Sequence, residues 1–199
     1  MVHISDGVLS PPVLAFGWLV TIAMIALALK KSSAEEIPKL SLITSAFFVA
    51  SLFHIPVGPT SVHLILNGLV GITLGILAYP SIFIGLVLQA FLFGHGGITA
   101  LGVNAMDMGL PAIVAYGVFK LGKKTNIKHK ESIFGALAAG TSVTLAVLLT
   151  ALMLLTTGRE FKGVIIALVG FHVPVIVIEA IVTGAIVSLI VKVKPEVLK

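Results

Sequence analysis

Six histidines carry most of the chemistry open to this chain: His3, His54, His63, His95, His129 and His172. His3 lies so close to the amino terminus that one short chelate brings together three kinds of nitrogen: the terminal amine of Met1, an intervening backbone amide, and the imidazole. Such a set favours square-planar nickel, copper or cobalt. The chain contains no cysteine, so a transition-metal site must be built from nitrogen and oxygen ligands, and no disulfide is available. A histidine at a terminus more often belongs to a frayed, solvated end. The weight of the metal reading therefore rests on where the other histidines lie.

The elements that would position them are membrane helices. The chain is 58 % hydrophobic with a mean hydropathy of +1.16, against roughly 45–50 % apolar content in soluble domains. At roughly 20 residues per span, about six or seven helices use nearly the whole length. The expectation is an all-α polytopic membrane protein: a single transmembrane domain over residues 1–199, with residues 1–7 as an amino-terminal metal-binding segment, seated in the cell membrane. The formal charge of +5 does not point to nucleic acid, because the basic residues flank apolar spans and act as topology signals.

Seven spans are expected, at about Val8 to Leu29, Leu40 to Phe53, Thr60 to Ala78, Ser81 to Phe93, Ile98 to Phe119, Ser132 to Thr156, and Pro174 to Val191. Asp6 precedes the first, where a signal peptide would carry positive charge, and Lys30 and Lys31 follow it, so this helix is expected to stay uncleaved with the amino terminus outside. A turn is expected over His54 to Pro59, a break at Tyr79-Pro80, and a tight loop at Gly94-His95-Gly96-Gly97. His172-Val173-Pro174 is expected to interrupt the last apolar stretch, leaving a half-inserted segment before it and Pro174 opening the seventh span. Lys30, Lys31, Lys39, Lys120, Lys123, Lys124, Lys128, Lys130, Lys192, Lys194 and Lys199 then fall inside with the carboxyl terminus, leaving Arg159 and Lys162 outside. That asymmetry follows the positive-inside rule.

The same map sends His3, His54, His63, His95 and His172 to the outer side and His129 alone to the inner one. A single histidine at a helix end is more often a hydrogen-bonded interfacial residue. Five on one face of a chain without thiolates point to an extracytoplasmic metal site. His3 and His63 are the expected ligands. Asn67, one helical turn from His63 and on the same face of the third span, and His95 are orienting or alternative donors, while His54 and His172 are structural or line the pathway. Asn104, Asp107 and Glu179 are polar residues within spans, where they either serve transport or fasten helices. Glu179 lies two turns beyond His172 and could face the same cavity.

No catalytic residues emerge. Gly117 to Lys124 approaches the phosphate-binding P-loop pattern, but Lys124 stands where magnesium would need Ser or Thr, and no strand precedes it. A proton-coupled secondary carrier would use Asp107 or Glu179 as its relay and often shows internal repeats and broken helices. No convincing repeat is visible here, and only the last helix reads as broken. A membrane metalloenzyme would need an open coordination position beside a general base.

Four blocks, MVHISDGVLSPP (1–12), HIPVGPTSVHL (54–64), LQAFLFGHGGITALGVNAMDM (88–108) and HVPVIVIEAIVT (172–183), closely resemble the CbiM/NikM family, the substrate-binding membrane components of energy-coupling-factor importers for cobalt or nickel. The similarity runs over essentially the whole chain. It implies a seven-helix fold whose amino-terminal segment dips into the outer cavity. It also implies a planar four-nitrogen site, made from the terminal amine, the backbone amide and imidazole of an early His, and a second His. The implied partners are a coupling transmembrane protein, two ATP-binding cassette ATPase subunits and often a small accessory membrane protein. The cargo is Co²⁺ or Ni²⁺, and no cofactor is implied. The family's early His is commonly the second residue, whereas here Val2 intervenes. Removal of Met1 would make Val2 the terminus and give His3 that place, with His63 supplying the fourth nitrogen. If Met1 stays, the amine, two amides and the His3 imidazole could fill the plane without His63. Some nickel-type members place the second His near Asn67. The block 54–64 looks more like the cobalt-type branch, so Co²⁺ for cobalamin synthesis is the expected cargo.

Overall fold

The computed structural model describes residues 3–57 and 60–198, with the backbone alone described at 54–57, 60–63 and 159. Seven α-helices follow one another: α1 (Pro11–Lys31), α2 (Ile37–Ala50), α3 (Asn67–Leu74), α4 (Ala78–Phe93), α5 (Leu101–Lys123), α6 (Lys130–Thr157) and α7 (Lys162–Val193). Two short antiparallel strands, β1 (His54–Val57) and β2 (Thr60–His63), stand between α2 and α3. Among the described residues, five stretches are long and apolar enough to cross a bilayer: α1, the α3–α4 pair taken as Asn67–Phe93, α5, α6 and α7. The protein is a multi-pass membrane protein, helical among the described residues apart from the short β1–β2 hairpin.

The bundle is organised around α5. Two thirds (67 %) of its most apolar window is buried, against 17 % for α1 and 22 % for α7. Peripheral helices turn large side chains such as Leu19, Ile166 and Ile181 outward, as a lipid-facing surface requires. Helix α3 lies within the bundle, with every residue except Leu69 buried. It can do so because it is nearly smooth on the sides that meet its neighbours. A methyl group on Gly68 would come within 2.6 Å of the Ala139 Cα, and one on Gly71 would overlap the Ala112 carbonyl. Small residues thus let α3 pack backbone to backbone on α6 and α5, the device by which membrane helices associate without a hydrophobic driving force between them.

Three expectations are corrected. Residues 60–63 form a strand rather than the start of a helix, so His63 and Asn67 share no helical face: Asn67 opens α3 after an irregular Leu64 to Leu66, with Leu66 at φ 50°. The break expected at Tyr79-Pro80 lies instead at a tight turn over Gly75–Leu77. Gly75 (φ 59°, ψ −125°) takes a conformation there that side-chain-bearing residues avoid. Pro80 sits in the first turn of α4, where its missing N–H is not needed. Finally, α7 runs unbroken for 32 residues through His172-Val173-Pro174. Pro174 removes the N–H that would bond the Gly170 carbonyl, but packing along α6 carries the helix past it. At 1.5 Å per residue, α7 is about 48 Å long and outreaches a hydrocarbon core of about 30 Å.

One end of the bundle gathers lysines. Lys130 Nζ donates to the carbonyls of Lys123 (2.9 Å) and Thr125 (3.0 Å), closing the carboxyl end of α5. Lys123 Nζ donates to the Leu198 carbonyl, tying the last turn of the chain to α5.

Candidate metal centre

The opposite end holds the amino-terminal segment. His3, Ile4 and Leu9 are buried, and Ile4 and Leu9 pack with Val103 and Met106 of α5 and Met153 of α6. Apolar contact alone would leave the main chain of this segment without partners, and Asn104 supplies them. Its Oδ1 accepts the Ile4 N–H (2.8 Å), and its Nδ2 donates to the Ile4 carbonyl (3.0 Å). This double bond fixes the backbone one residue beyond His3, each half worth about 1 kcal/mol.

Asp6, three residues past His3, fastens the segment to the loop before α5. Its carboxylate accepts the Thr99 hydroxyl (2.5 Å), the Thr99 N–H (2.8 Å) and the Ile98 N–H (3.1 Å). The Thr99 hydroxyl above all, helped by these amides, holds the Asp6 carboxyl below its ordinary range, against a smaller opposing effect of burial. The loop is braced in turn, since Trp18 Nε1 donates to the Thr99 carbonyl (2.9 Å) and Thr21 Oγ1 to that of Gly102 (2.7 Å).

The glycines of the 94–97 loop make room for this. Gly94 ends α4 in the left-handed conformation (φ 64°), its N–H bonded to the Ala90 carbonyl at 3.1 Å. A Cβ at Gly96 (φ 76°) would lie 3.4 Å from the His3 Cβ and 3.2 Å from Asn104 Nδ2, and one at Gly97 would overlap Asp6. The expected tight loop is present, and its glycines are spaces for the terminus. His95 is half-buried in it, its ring centroid 6.0 Å from that of Phe93.

A cavity of about 200 Å³ opens beside the segment, lined by His3, Ile4, Ser5 and Val8, by Thr150 and Leu154 of α6, and by Phe161, Val164 and Leu168. Thr150 Oγ1 donates to Oδ2 of the fully buried Asp107 (3.1 Å). His172 lies one turn past Leu168 and is buried. Its Nδ1 is 2.7 Å from the Leu168 carbonyl, and because a carbonyl only accepts, this nitrogen carries the hydrogen. Glu179 serves a different place: Oε1 accepts the N–H groups of Ile65 and, at 2.9 Å, Leu66. It holds the elbow that links β2 to α3. Asn67 is wholly buried and donates from Nδ2 to the Met108 carbonyl (3.3 Å).

His54 and His63 are direct register partners at the base of the β1–β2 hairpin; their side chains lie outside the described residues, as do Met1 and Val2 altogether. Among the described residues no three of His, Asp and Glu come together as a metal site. The structure thus gathers His3, Asn104 and the 94–97 loop around one segment, reaches Asp107 through Thr150, and sets Glu179 and Asn67 at the elbow and first turn of α3. Asp6, Thr99 and Thr150 are the partners that sequence reasoning did not single out. Asp6 stood within the first seven residues without a role, and Thr99 and Thr150 have no local signature.

A multi-pass helical bundle whose first described residues, His3 to Asp6, are tied down beside a small cavity has the build of a membrane transport component. The comparisons with known proteins make the class specific. The chain belongs to the CbiM family, described as the cobalt uptake substrate-specific transmembrane region, whose model matches residues 3–197. A Haemophilus influenzae protein provisionally named for metal transport is 34 % identical over 98 % of this chain and 96 % of its own length. The cobalt transport protein CbiM of Acetohalobium arabaticum is 32 % identical over 94 % of this chain and 81 % of its own. The fused nickel transport protein NikMN of Rhodobacter capsulatus is 32 % identical over 75 % of this chain and 46 % of its own length. A crystal structure described as a transition metal transporter superposes with a TM-score of 0.82 at 27 % identity, over 96 % of this chain and 93 % of that one. This chain is accordingly a cobalt/nickel transport component.

Proposed function

We propose that this chain captures Co²⁺ on the outer face of the cell membrane as the substrate-binding component of an energy-coupling-factor importer, supplying cobalamin synthesis. The observation that carries the reading is the burial of His3, with the main chain just past it fastened at Ile4 by Asn104 and at Asp6 by the loop before α5. A terminus so held can present its amine, backbone amide and imidazole in one plane, the arrangement that late divalent transition metals favour. His63 is the proposed fourth nitrogen donor, with Met1 removed so that Val2 forms the terminus. Intact-mass spectrometry of metal-loaded protein is expected to show the chain without Met1; full retention contradicts that part.

In this reading the bundle has seven membrane helices, the amino terminus outside and the lysine-rich end inside. A membrane coupling protein, two ATP-binding cassette ATPase subunits and a small accessory membrane protein complete the transporter. Capture outside is followed by closure over the ion and by release inward when the ATPases move the assembly. Ni²⁺ is the second reading, favoured by the nickel transport name of one relative and by the affinity order of nitrogen sites, which ranks Ni²⁺ above Co²⁺. The unbroken α7 takes away the feature that suggested a secondary carrier. The test is metal uptake: ATP-dependent accumulation requiring the copurified ATPase subunits is expected, and uptake by this chain alone on a proton gradient overturns the reading.

A further inference from the structure

Asp107 is used by nothing in the account so far. It is fully buried in α5, one turn inward from Asn104 on the same helical face. Asp107 Oδ2 takes the Thr150 hydroxyl, and Oδ1 has no hydrogen-bond partner among the described residues. The elements packed on α5 place Thr21 of α1, Asn67 of α3, Tyr79 of α4 and Thr150 of α6 around this level of the helix. Tyr79 is the titratable group among them and gives its attention to Thr21, 2.9 Å away. The segment packed on α5 brings His3, and α7, packed on α6, carries His172, bonded to Leu168, and Glu179, bonded to the α3 elbow. The lysines of α1, α5 and α6 stand at the far end of their helices. Among the described residues no cation pairs with Asp107.

A buried carboxylate without a cation is costly, and the cost falls when a positive charge arrives nearby. The cavity that would receive that charge is lined by the same Thr150 that bonds Asp107. The charges also count correctly. A divalent ion that displaces the hydrogen of one backbone amide leaves a net single positive charge at the terminus. We infer that Asp107, reached through Thr150, is the counter-charge of the cavity: it holds its proton while the cavity is empty and releases it when the divalent ion is bound. It touches neither metal nor ligand, and so acts as a positioning charge. This rests on the capture of a divalent ion by the amino terminus.

The experiment titrates CoCl₂ into the detergent-purified full chain in weakly buffered solution below neutral pH, recording protons released, affinity and the visible ligand-field spectrum. Asp107→Asn is expected to release about one proton fewer per Co²⁺ and to bind roughly tenfold more weakly, the scale of two unit charges about 12 Å apart at an effective dielectric of about 20, with an unchanged spectrum. Asp107→Glu is expected to restore the missing proton. An Asp107→Asn protein that matches the wild type in proton count and affinity overturns the inference, and so does an altered spectrum, which would make Asp107 a ligand or a structural support of the ligands. Should Asp107→Asn fail to fold, Thr150→Val carries the test, since it leaves the acid in place without its hydroxyl link; an unchanged affinity there overturns the inference. If the wild type itself neither binds Co²⁺ nor releases protons, the capture reading fails instead.

Discussion

At both ends of the bundle side chains grip the main chain, but with opposite polarity. At the lysine end, ammonium groups of Lys123 and Lys130 take backbone carbonyls. At the histidine end, Asp6 and Asn104 Oδ1 accept backbone N–H groups. The first pattern closes helix carboxyl ends, where a cation meets the negative pole of the helix. The second holds the segment from His3 to Asp6 in place and makes it part of the bundle. Fastening and chemistry are therefore divided at the histidine end: Asn104 and Asp6 hold the segment, and His3, just ahead of both fastened points, is the proposed donor.

The division can be broken at each part. The largest effect is expected from His3→Ala, which removes an imidazole and leaves both fasteners. Saturable Co²⁺ binding, read by isothermal titration, should vanish while the thermal midpoint stays close to that of the wild type; retained binding contradicts the ligand role. Gly97→Val comes next, because its side chain would occupy the space of Asp6 and lift the segment off its loop. Loss of binding with the helical circular dichroism intact is the expected outcome.

Asn104→Ala removes both bonds to Ile4 and should weaken binding about 10- to 100-fold, the usual scale for residues that orient metal ligands. A change below threefold in the same titration would show that the apolar contacts of Ile4 and Leu9 suffice. The effect of Asp6 depends on pH. Its carboxyl is held below the ordinary range in the folded state, so its stabilisation is fully present above the unfolded value of about 4 and is lost as pH falls through the lowered folded value. The protection factor of the Thr99 amide, its exchange rate set against the intrinsic rate at each pH, should therefore be high at neutral pH and fall in acid. Asp6→Asn should flatten that dependence, and an unchanged profile in the variant contradicts it. Lys130→Ala, at the other end, should loosen the α5–α6 turn and leave Co²⁺ affinity within twofold.

Membrane class, helix-rich fold and the tight loop at 94–97 were legible in the sequence because each is written in local composition: long apolar runs, flanking lysines, glycines at 94, 96 and 97. What escaped is non-local. The bonds from Asn104 to Ile4 and from Asp6 to Thr99 span 100 and 93 residues, and nothing near either residue announces its partner. Local rules also lost to packing twice. His172-Val173-Pro174 carries the pattern of a break, yet contact along α6 keeps α7 helical through it. The apolar run after Thr60 suits a helix, but residues 60–63 pair with 54–57 and the helix waits for Asn67. Gly75 is where α3 gives way to α4, a use that only its backbone angles reveal.

The most direct test of the central claim adds one residue before Met1 and measures Co²⁺ binding by the detergent-purified protein against the chain with its native terminus. An extra residue moves the amine away from the His3 chelate without altering any side chain described above. Loss of binding with preserved folding is the predicted result. Unchanged affinity and spectrum would contradict the claim and move the metal to His54, His63, His95 and His172.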